Sequence, residues 1–257
     1  MSVLDPNALS GRRVLITGAS GGIGRVTARS LAAAGATVLA NYHSDRASVA
    51  DALQGVPAER AVLLPGDLST PDAARALWRA ADIDAPIDVL VLNAATMPET
   101  PIDGSDDEWD AGWELAMQVN VISAGALLRE AVRGFAARGS GTAIVLSSWA
   151  AEQGSRIRDV GAYAASKAAI RNLAQTFARA YARSGVTIHV IAPGVVRAGM
   201  GIAGKDEAAQ AAIAEGLAMG RYVEAEEIAD VITFLSANGC PSLTGATVDI
   251  NGASYIR

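Results

Sequence analysis

Short runs of branched aliphatic residues recur along the chain without polar alternation: Val14-Leu15-Ile16, Thr37-Val38-Leu39, Ala61-Val62-Leu63-Leu64, Val89-Leu90-Val91-Leu92, Ala143-Ile144-Val145-Leu146, Thr187-Ile188-His189-Val190-Ile191 and Thr247-Val248-Asp249-Ile250. Runs of this length and uniformity predict strands buried on both faces. Between them lie alanine-rich stretches of helical length and periodicity, at residues 23–34, 46–54, 70–81, 107–138, 161–184 and 225–236. Strand and helix alternate, and right-handed crossovers then place helices on both faces of one mostly parallel, seven-stranded sheet. Residues 198–219, rich in Gly, Ala and Met, interrupt the rhythm and read as an irregular segment covering a site.

Composition narrows the class. The chain has 257 residues, 51% of them hydrophobic and 19% charged, so a large core is within reach and disorder is excluded. Asp and Glu number 27 against 21 Lys and Arg, a net charge of −6, which argues against nucleic acid as a main partner. Cys240, a lone cysteine, forms no intramolecular disulfide and suggests no Cys-based zinc site. The amino-terminal residues MSVLDPNALSGRR contain no apolar secretory core, and no apolar run is long enough to span a bilayer. A soluble cytoplasmic protein is the expectation.

The first strand runs directly into Thr17-Gly18-Ala19-Ser20-Gly21-Gly22-Ile23-Gly24 and then a helix. A glycine-rich turn in that position is the signature of a dinucleotide site. Gly18 permits the tight turn, Gly22 lets a pyrophosphate approach the backbone, and Gly24 lets helix and strand pack closely. An NAD site would carry a carboxylate at the end of the second strand, to bond the ribose hydroxyls. Here the sequence is Asn41-Tyr42-His43-Ser44-Asp45-Arg46. Neutral Asn41 with His43, Ser44 and Arg46 favours a 2′-phosphate, hence NADP(H) over NAD(H), with Asp45 the residue that could oppose it.

Tyr163 and Lys167 are four apart on a predicted helix and share a face. An ammonium beside a phenol favours the phenolate, so Lys167 is expected to lower the Tyr163 pKa and make it a usable proton donor and acceptor. Ser148 stands where the fifth strand ends, the edge at which α/β sheets bind ligands, and can donate to a carbonyl oxygen; Ser147 is its immediate rival.

With the glycine turn, Tyr163-Ala164-Ala165-Ser166-Lys167 and Pro193-Gly194 in order, nearly the whole chain resembles the classical short-chain dehydrogenase/reductase family, in particular its 3-oxoacyl-reductase-like members. The resemblance implies a Rossmann-type doubly wound α/β fold, one domain over residues 1–257, and hydride transfer between nicotinamide and a carbonyl or secondary alcohol without a metal. It implies Tyr163 as proton donor, Ser148 rather than Ser147 as the carbonyl-binding hydroxyl, Lys167 on Tyr163 and the nicotinamide ribose, and Asn120 sustaining a proton relay. Cofactor contacts fall to Gly18, Ser20, Gly21, Gly22 and Ile23, then to Asp67 and Leu68 at the adenine. Asn93, Ala94 and Ala95 follow on the ribose side, and Pro193, Gly194 and Val196 at the nicotinamide.

Substrate positions are Ser148, Trp149, Ala150, Met97, Val160, Gly199 and Met200, a mainly apolar set. Trp149 reads equally well as a core residue, and Arg156, Arg158 and Arg197 read as solvated surface arginines, with recognition of an acidic substrate or carrier as the other reading. His189 reads as a core residue. The family commonly has Thr where this chain has Ala198, so one cofactor hydrogen bond is lost and a more mobile cover is expected. Apolar residues on more than one face of the two longest helices, and the family's habit, imply a homotetramer or a dimer. Two rival classes remain. A nucleotide-sensing regulator would keep the fold without turnover, and an epimerase or dehydratase of the extended relatives would need an added substrate domain that this length does not hold.

Overall fold

In the computed structural model, which describes residues 6–256, each aliphatic run becomes a strand whose successive residues face opposite sides of one sheet. The amino-terminal motif is thus described from Pro6 onward, and its first five residues lie outside the described residues. The strands are β1 (Arg13–Ile16), β2 (Thr37–Tyr42), β3 (Ala61–Pro65), β4 (Val89–Leu92), β5 (Gly141–Leu146), β6 (Val186–Pro193) and β7 (Thr247–Ile250). Among the described residues they form one parallel sheet in the order β3-β2-β1-β4-β5-β6-β7.

The missing alternation in the sequence now has its cause. Val14, Ile16, Val38, Val91, Ile144 and Leu146 face one core, and Leu15, Leu39, Leu90, Leu92 and Val145 face the other. The first core is closed by α1 (Gly22–Ala33) and α9 (Ala225–Ser236), through Leu31, Ile228 and Ile232. The second is closed by α3 (Pro71–Asp82), α5 (Ala124–Arg138) and α7 (Gly161–Tyr181), through Leu77, Trp78, Leu127, Phe135 and Ile170. Period-two geometry is present, but both faces are apolar, so it leaves no polar trace. Only the edge strands β3 and β7 hold no fully buried residue.

Two stretches depart from the expectation. The single helix predicted at 107–138 is α4 (Asp106–Met117), a π-helical turn (Gln118–Ser123) and α5. The wider turn buries Asn120 and Ser123, which a straight 3.6-residue period does not align with the apolar face. The 198–219 segment is not irregular throughout. It opens with a 3₁₀ turn (Gly199–Gly201) and then contains α8 (Glu207–Glu215), whose N-cap Asp206 accepts from the Ala209 amide at 2.8 Å. A four-residue helix, α6 (Ala150–Gln153), follows β5, and α2 (Arg46–Ala52) follows β2.

Strand order places the topological switch between β1 and β4, where successive crossovers leave in opposite directions. Ligands of such sheets bind outside the carboxyl ends of the strands at that point. A cleft of about 980 Å³ opens there.

Candidate active site

The glycine turn connects β1 to α1 at the floor of the cleft. Gly18 has φ +64°, and a Cβ on it would lie 2.9 Å from the Ala94 Cα. Gly24 is tighter, since a Cβ there would lie 2.1 Å from the Gly18 carbonyl oxygen. Thr17, which sequence reasoning passed over, ties the turn to β4 by accepting from the Asn93 and Ala94 amides, each at 3.0 Å, and the Asn93 amide group donates back to the Thr17 and Gly18 carbonyls. The N-cap of α1, Gly21, supplies no side-chain cap, which leaves the amides of the first turn for an anion. These features fit a dinucleotide phosphate. Gly18, Ser20, Gly21, Gly22 and Ile23 all line the cleft.

At the end of β2 the picture is more specific than the sequence allowed. Asn41 is buried, and its amide is engaged with the scaffold: Nδ2 donates to the Leu64 and Gly66 carbonyls at 3.3 and 3.1 Å, and Oδ1 accepts from the Gly18 amide at 3.4 Å. It shapes the cleft wall as a neutral residue, with its amide committed to the scaffold. His43 reaches the cleft, whereas Ser44 and Arg46 do not line it. Asp45 turns to cap α2, accepting from the Ser48 amide and hydroxyl at 3.0 and 2.5 Å. Those bonds hold its carboxyl below the usual range and direct it to the helix. Asp67 and Leu68 line the cleft beyond β3, with the Asp67 carboxylate lowered in pKa chiefly by the Ser69 hydroxyl.

The reactive side chains converge from β5 and α7. Ser147 donates its hydroxyl to the Lys167 carbonyl at 2.9 Å, so it is engaged in structure. Ser148 Oγ accepts from the Ala150 amide at 3.2 Å and hydrogen-bonds the Tyr163 side chain. Lys167 lies one helical turn after Tyr163, its Nζ 5.8 Å from the tyrosine ring centroid, and donates to the Leu146 carbonyl at 2.8 Å. All three line the cleft.

The expected direction of the tyrosine shift is corrected. Burial of the hydroxyl raises the Tyr163 pKa, and the Ser148 hydrogen bond opposes this without reversing it. Lys167 is itself 5% exposed, and burial lowers its pKa to about 8. Desolvation disfavours both charged forms, so it overrides the phenolate stabilisation expected from spacing alone. The site is therefore set for a neutral phenol near neutral pH, which suits a proton donor.

This burial gives a pH signature. The folded lysine pKa, about 8, lies below the unfolded value of 10.5, so between them the unfolded chain binds more protons. The penalty is full below about pH 8 and is relieved as pH rises toward 10.5. In chemical denaturation without cofactor, the native protein is expected to gain roughly 3 kcal/mol over that window relative to Lys167→Met, at about 1.4 kcal/mol per pKa unit. A flat difference between the two proteins contradicts the burial argument.

Asn120 does not line the cleft. From the π-helical turn its amide donates to the Thr96 carbonyl and the Ser166 hydroxyl at 2.8 and 2.9 Å and accepts from the Thr96 amide at 2.8 Å. Ser166 in turn donates to the Tyr163 carbonyl at 2.7 Å. Asn120 thus braces the loop after β4 against the first turn of α7.

Asn93, Ala94, Ala95, Pro193, Gly194 and Val196 line the middle of the cleft. Met97, Trp149, Ala150, Val160, Gly199 and Met200 line it as well, so Trp149 takes the cleft role of its two readings. Leu115, Ile213 and Leu217 join them without having been singled out. In place of the missing threonine, the Ala198 methyl sits directly on the turn: a Cβ on Gly22 would lie 2.5 Å from it. His189 keeps to the core, with Nδ1 3.2 Å from the Leu243 carbonyl.

Residues 18–253 match the family model described as enoyl-(acyl carrier protein) reductase. The chain is 32% identical over 248 residues to cis-4-hydroxycyclohexanecarboxylate dehydrogenase of Sinomonas cyclohexanicum, covering 95% of this chain and 97% of the relative. It is 31% identical over 250 residues to acetoacetyl-CoA reductase of Allochromatium vinosum, covering 96% and 99%. A solved structure from Beutenbergia cavernae, described as a candidate NAD(P)-dependent gluconate 5-dehydrogenase with NADP at low occupancy, superposes with a TM-score of 0.86. It shares 29% identity, over 97% of this chain and 98% of that one.

The chain belongs to the classical short-chain dehydrogenase/reductase family and is similar to its 3-oxoacyl-reductase-like members. It is accordingly an NAD(P)-dependent oxidoreductase acting on alcohol or carbonyl groups. Among the described residues no helix is long and apolar enough to cross a membrane.

Proposed function

We propose that the protein is an NADPH-dependent ketone reductase, built as one domain with residues 198–219 as its cover. The observation that carries the reading is the convergence of Ser148, Tyr163 and Lys167 at the carboxyl ends of the strands, beside a bare glycine turn. Bound at that turn, the nicotinamide cofactor supplies the hydride. Ser148 orients and polarises the substrate carbonyl, and Tyr163, kept neutral by burial, gives its proton to the carbonyl oxygen. Lys167 bonds the nicotinamide ribose, while Asn120 positions α7 through Ser166.

Preference for NADPH is supported by the end of β2, where Asn41 is neutral, Asp45 is turned to its helix and His43 faces the cleft. A non-catalytic regulator on the same fold is the alternative, and it gives no reason for the three reactive side chains to meet. We also read the protein as cytoplasmic and as a homotetramer, with a dimer the smaller alternative. Exposed Trp109, Leu115 and Ile122, at 37%, 46% and 50%, support an assembly through α4 and the π-helical turn. The test is reductant consumption with a panel of ketones, run in parallel with NADPH and NADH on material sized by sedimentation. Faster turnover with NADPH, by a particle larger than one chain, is expected. A clear NADH preference contradicts the cofactor reading, and a monomer contradicts the assembly.

A further inference from the structure

The cleft is unevenly charged. The walls include apolar Met97, Leu115, Trp149, Ile157 and Leu217, yet besides Lys167 of the reactive set two further cations line the cleft, Arg156 and Lys205. No carboxylate but Asp67 lines it among the described residues. Asp67 is across the sheet beyond β3, its carboxylate held by Ser69.

Neighbouring arginines are neutralised. Arg158 pairs with Asp103, Arg171 with Glu152, and Arg197 with Glu224. No such pair involves Arg156 or Lys205 among the described residues. The Arg156 guanidinium lies over the Trp149 ring, 4.8 Å from its centroid, and one N–H donates to the Ser254 carbonyl at 3.5 Å. Lys205 gives its ammonium to the Ala203 carbonyl at 3.3 Å, on the segment leading to α8.

A guanidinium resting over a ring is restrained, and with five N–H donors it retains most of them for a ligand. Trp149 is the residue next to Ser148, so this cation stands one side chain from the carbonyl-binding hydroxyl. In a chain of net charge −6, Arg156 and Lys205, unpaired and lining the same cleft as Lys167, add to a local field that attracts an anion.

We infer that the substrate is a ketone or alcohol bearing a carboxylate on an apolar carbon frame, with Arg156 binding the carboxylate and Lys205 completing its surroundings from the cover. The inference rests on the ketone-reductase reading for the position of the reacting carbon, while the anion site itself is tested without turnover. The experiment is calorimetric titration of the NADP⁺-loaded protein with matched pairs: hexanoate and hexanamide, cyclohexanecarboxylate and cyclohexanecarboxamide, benzoate and benzamide.

At least one carboxylate is expected to bind about tenfold or more tightly than its amide, as a charge-assisted hydrogen bond implies. Arg156→Gln is expected to remove that advantage while leaving amide and NADP⁺ affinities unchanged, Arg156→Lys to restore part of it, and Lys205→Gln to weaken it less. Equal binding of acid and amide in every pair, no binding by any, or an advantage that survives Arg156→Gln overturns the inference. An Arg156-dependent advantage in a protein that reduces no ketone leaves the anion site standing and removes the reductase reading instead.

Discussion

Tyr163→Phe is expected to slow carbonyl reduction by about 10²–10⁴-fold, the usual contribution of a positioned general acid, with cofactor affinity unchanged. The loss falls on kcat because the hydroxyl acts on the carbonyl oxygen as negative charge develops there, and the ring that packs beside Lys167 is retained. The side chains that remain do not replace it. Ser148, if it gave up its proton, would be left an alkoxide beside the Ala150 amide, and Lys167 faces the Leu146 carbonyl. Initial-rate kinetics with cofactor titration check this; a variant with native kcat removes Tyr163 from the role of acid.

The second large effect is structural. Gly24→Ala puts a methyl carbon 2.1 Å from the Gly18 carbonyl oxygen and 2.7 Å from the Asn93 amide nitrogen. Neither neighbour can yield freely: Gly18 is fixed at φ +64° against Ala94, and Asn93 is bonded to two carbonyls of the turn. Overpacking of this kind costs about 1–3 kcal/mol, and a backbone contact belongs at the upper end. Opening the turn also disperses the α1 amides that face a phosphate, so cofactor binding is expected to weaken together with stability. Gly21→Ala is the control, because its Cβ would meet nothing nearer than 3.6 Å. Denaturation midpoints of the two variants check the contrast, with NADPH titration of Gly24→Ala beside the native protein; equal stability of the two variants contradicts the packing role of Gly24.

The sheet was readable because its strands are short, aliphatic and separated by helical spacing, and the glycine turn because its context is local. What was not readable depends on tertiary contact. The period of residues 107–138 looks continuous, and only the burial of Asn120 and Ser123 shows the π-helical turn. Helix α8 did leave a signal, Asp206 ahead of an alanine-rich run, which the surrounding glycines obscured. Tyr163 and Lys167 could be paired by spacing, but their protonation could not, since it follows from how much protein surrounds them. Asn41 could be seen as neutral, yet not as engaged with Leu64 and Gly66. Arg156, Arg158 and Arg197 could each be read in sequence as surface arginines or as readers of an acidic substrate, and only the pairing of Arg158 with Asp103 and Arg197 with Glu224 separates Arg156 from the other two.

On the proposed function, the side chains meeting at the end of β5 carry out reduction, not only nucleotide sensing. The most direct measurement of that reduction is NADPH oxidation by the native protein and by Tyr163→Phe across ketones with and without a carboxylate, with NADPH binding measured on both. Turnover by the native protein, near-complete loss in the variant, and equal binding in the two are expected. Tight NADPH binding by both with no turnover of any ketone by the native protein would contradict the proposed function.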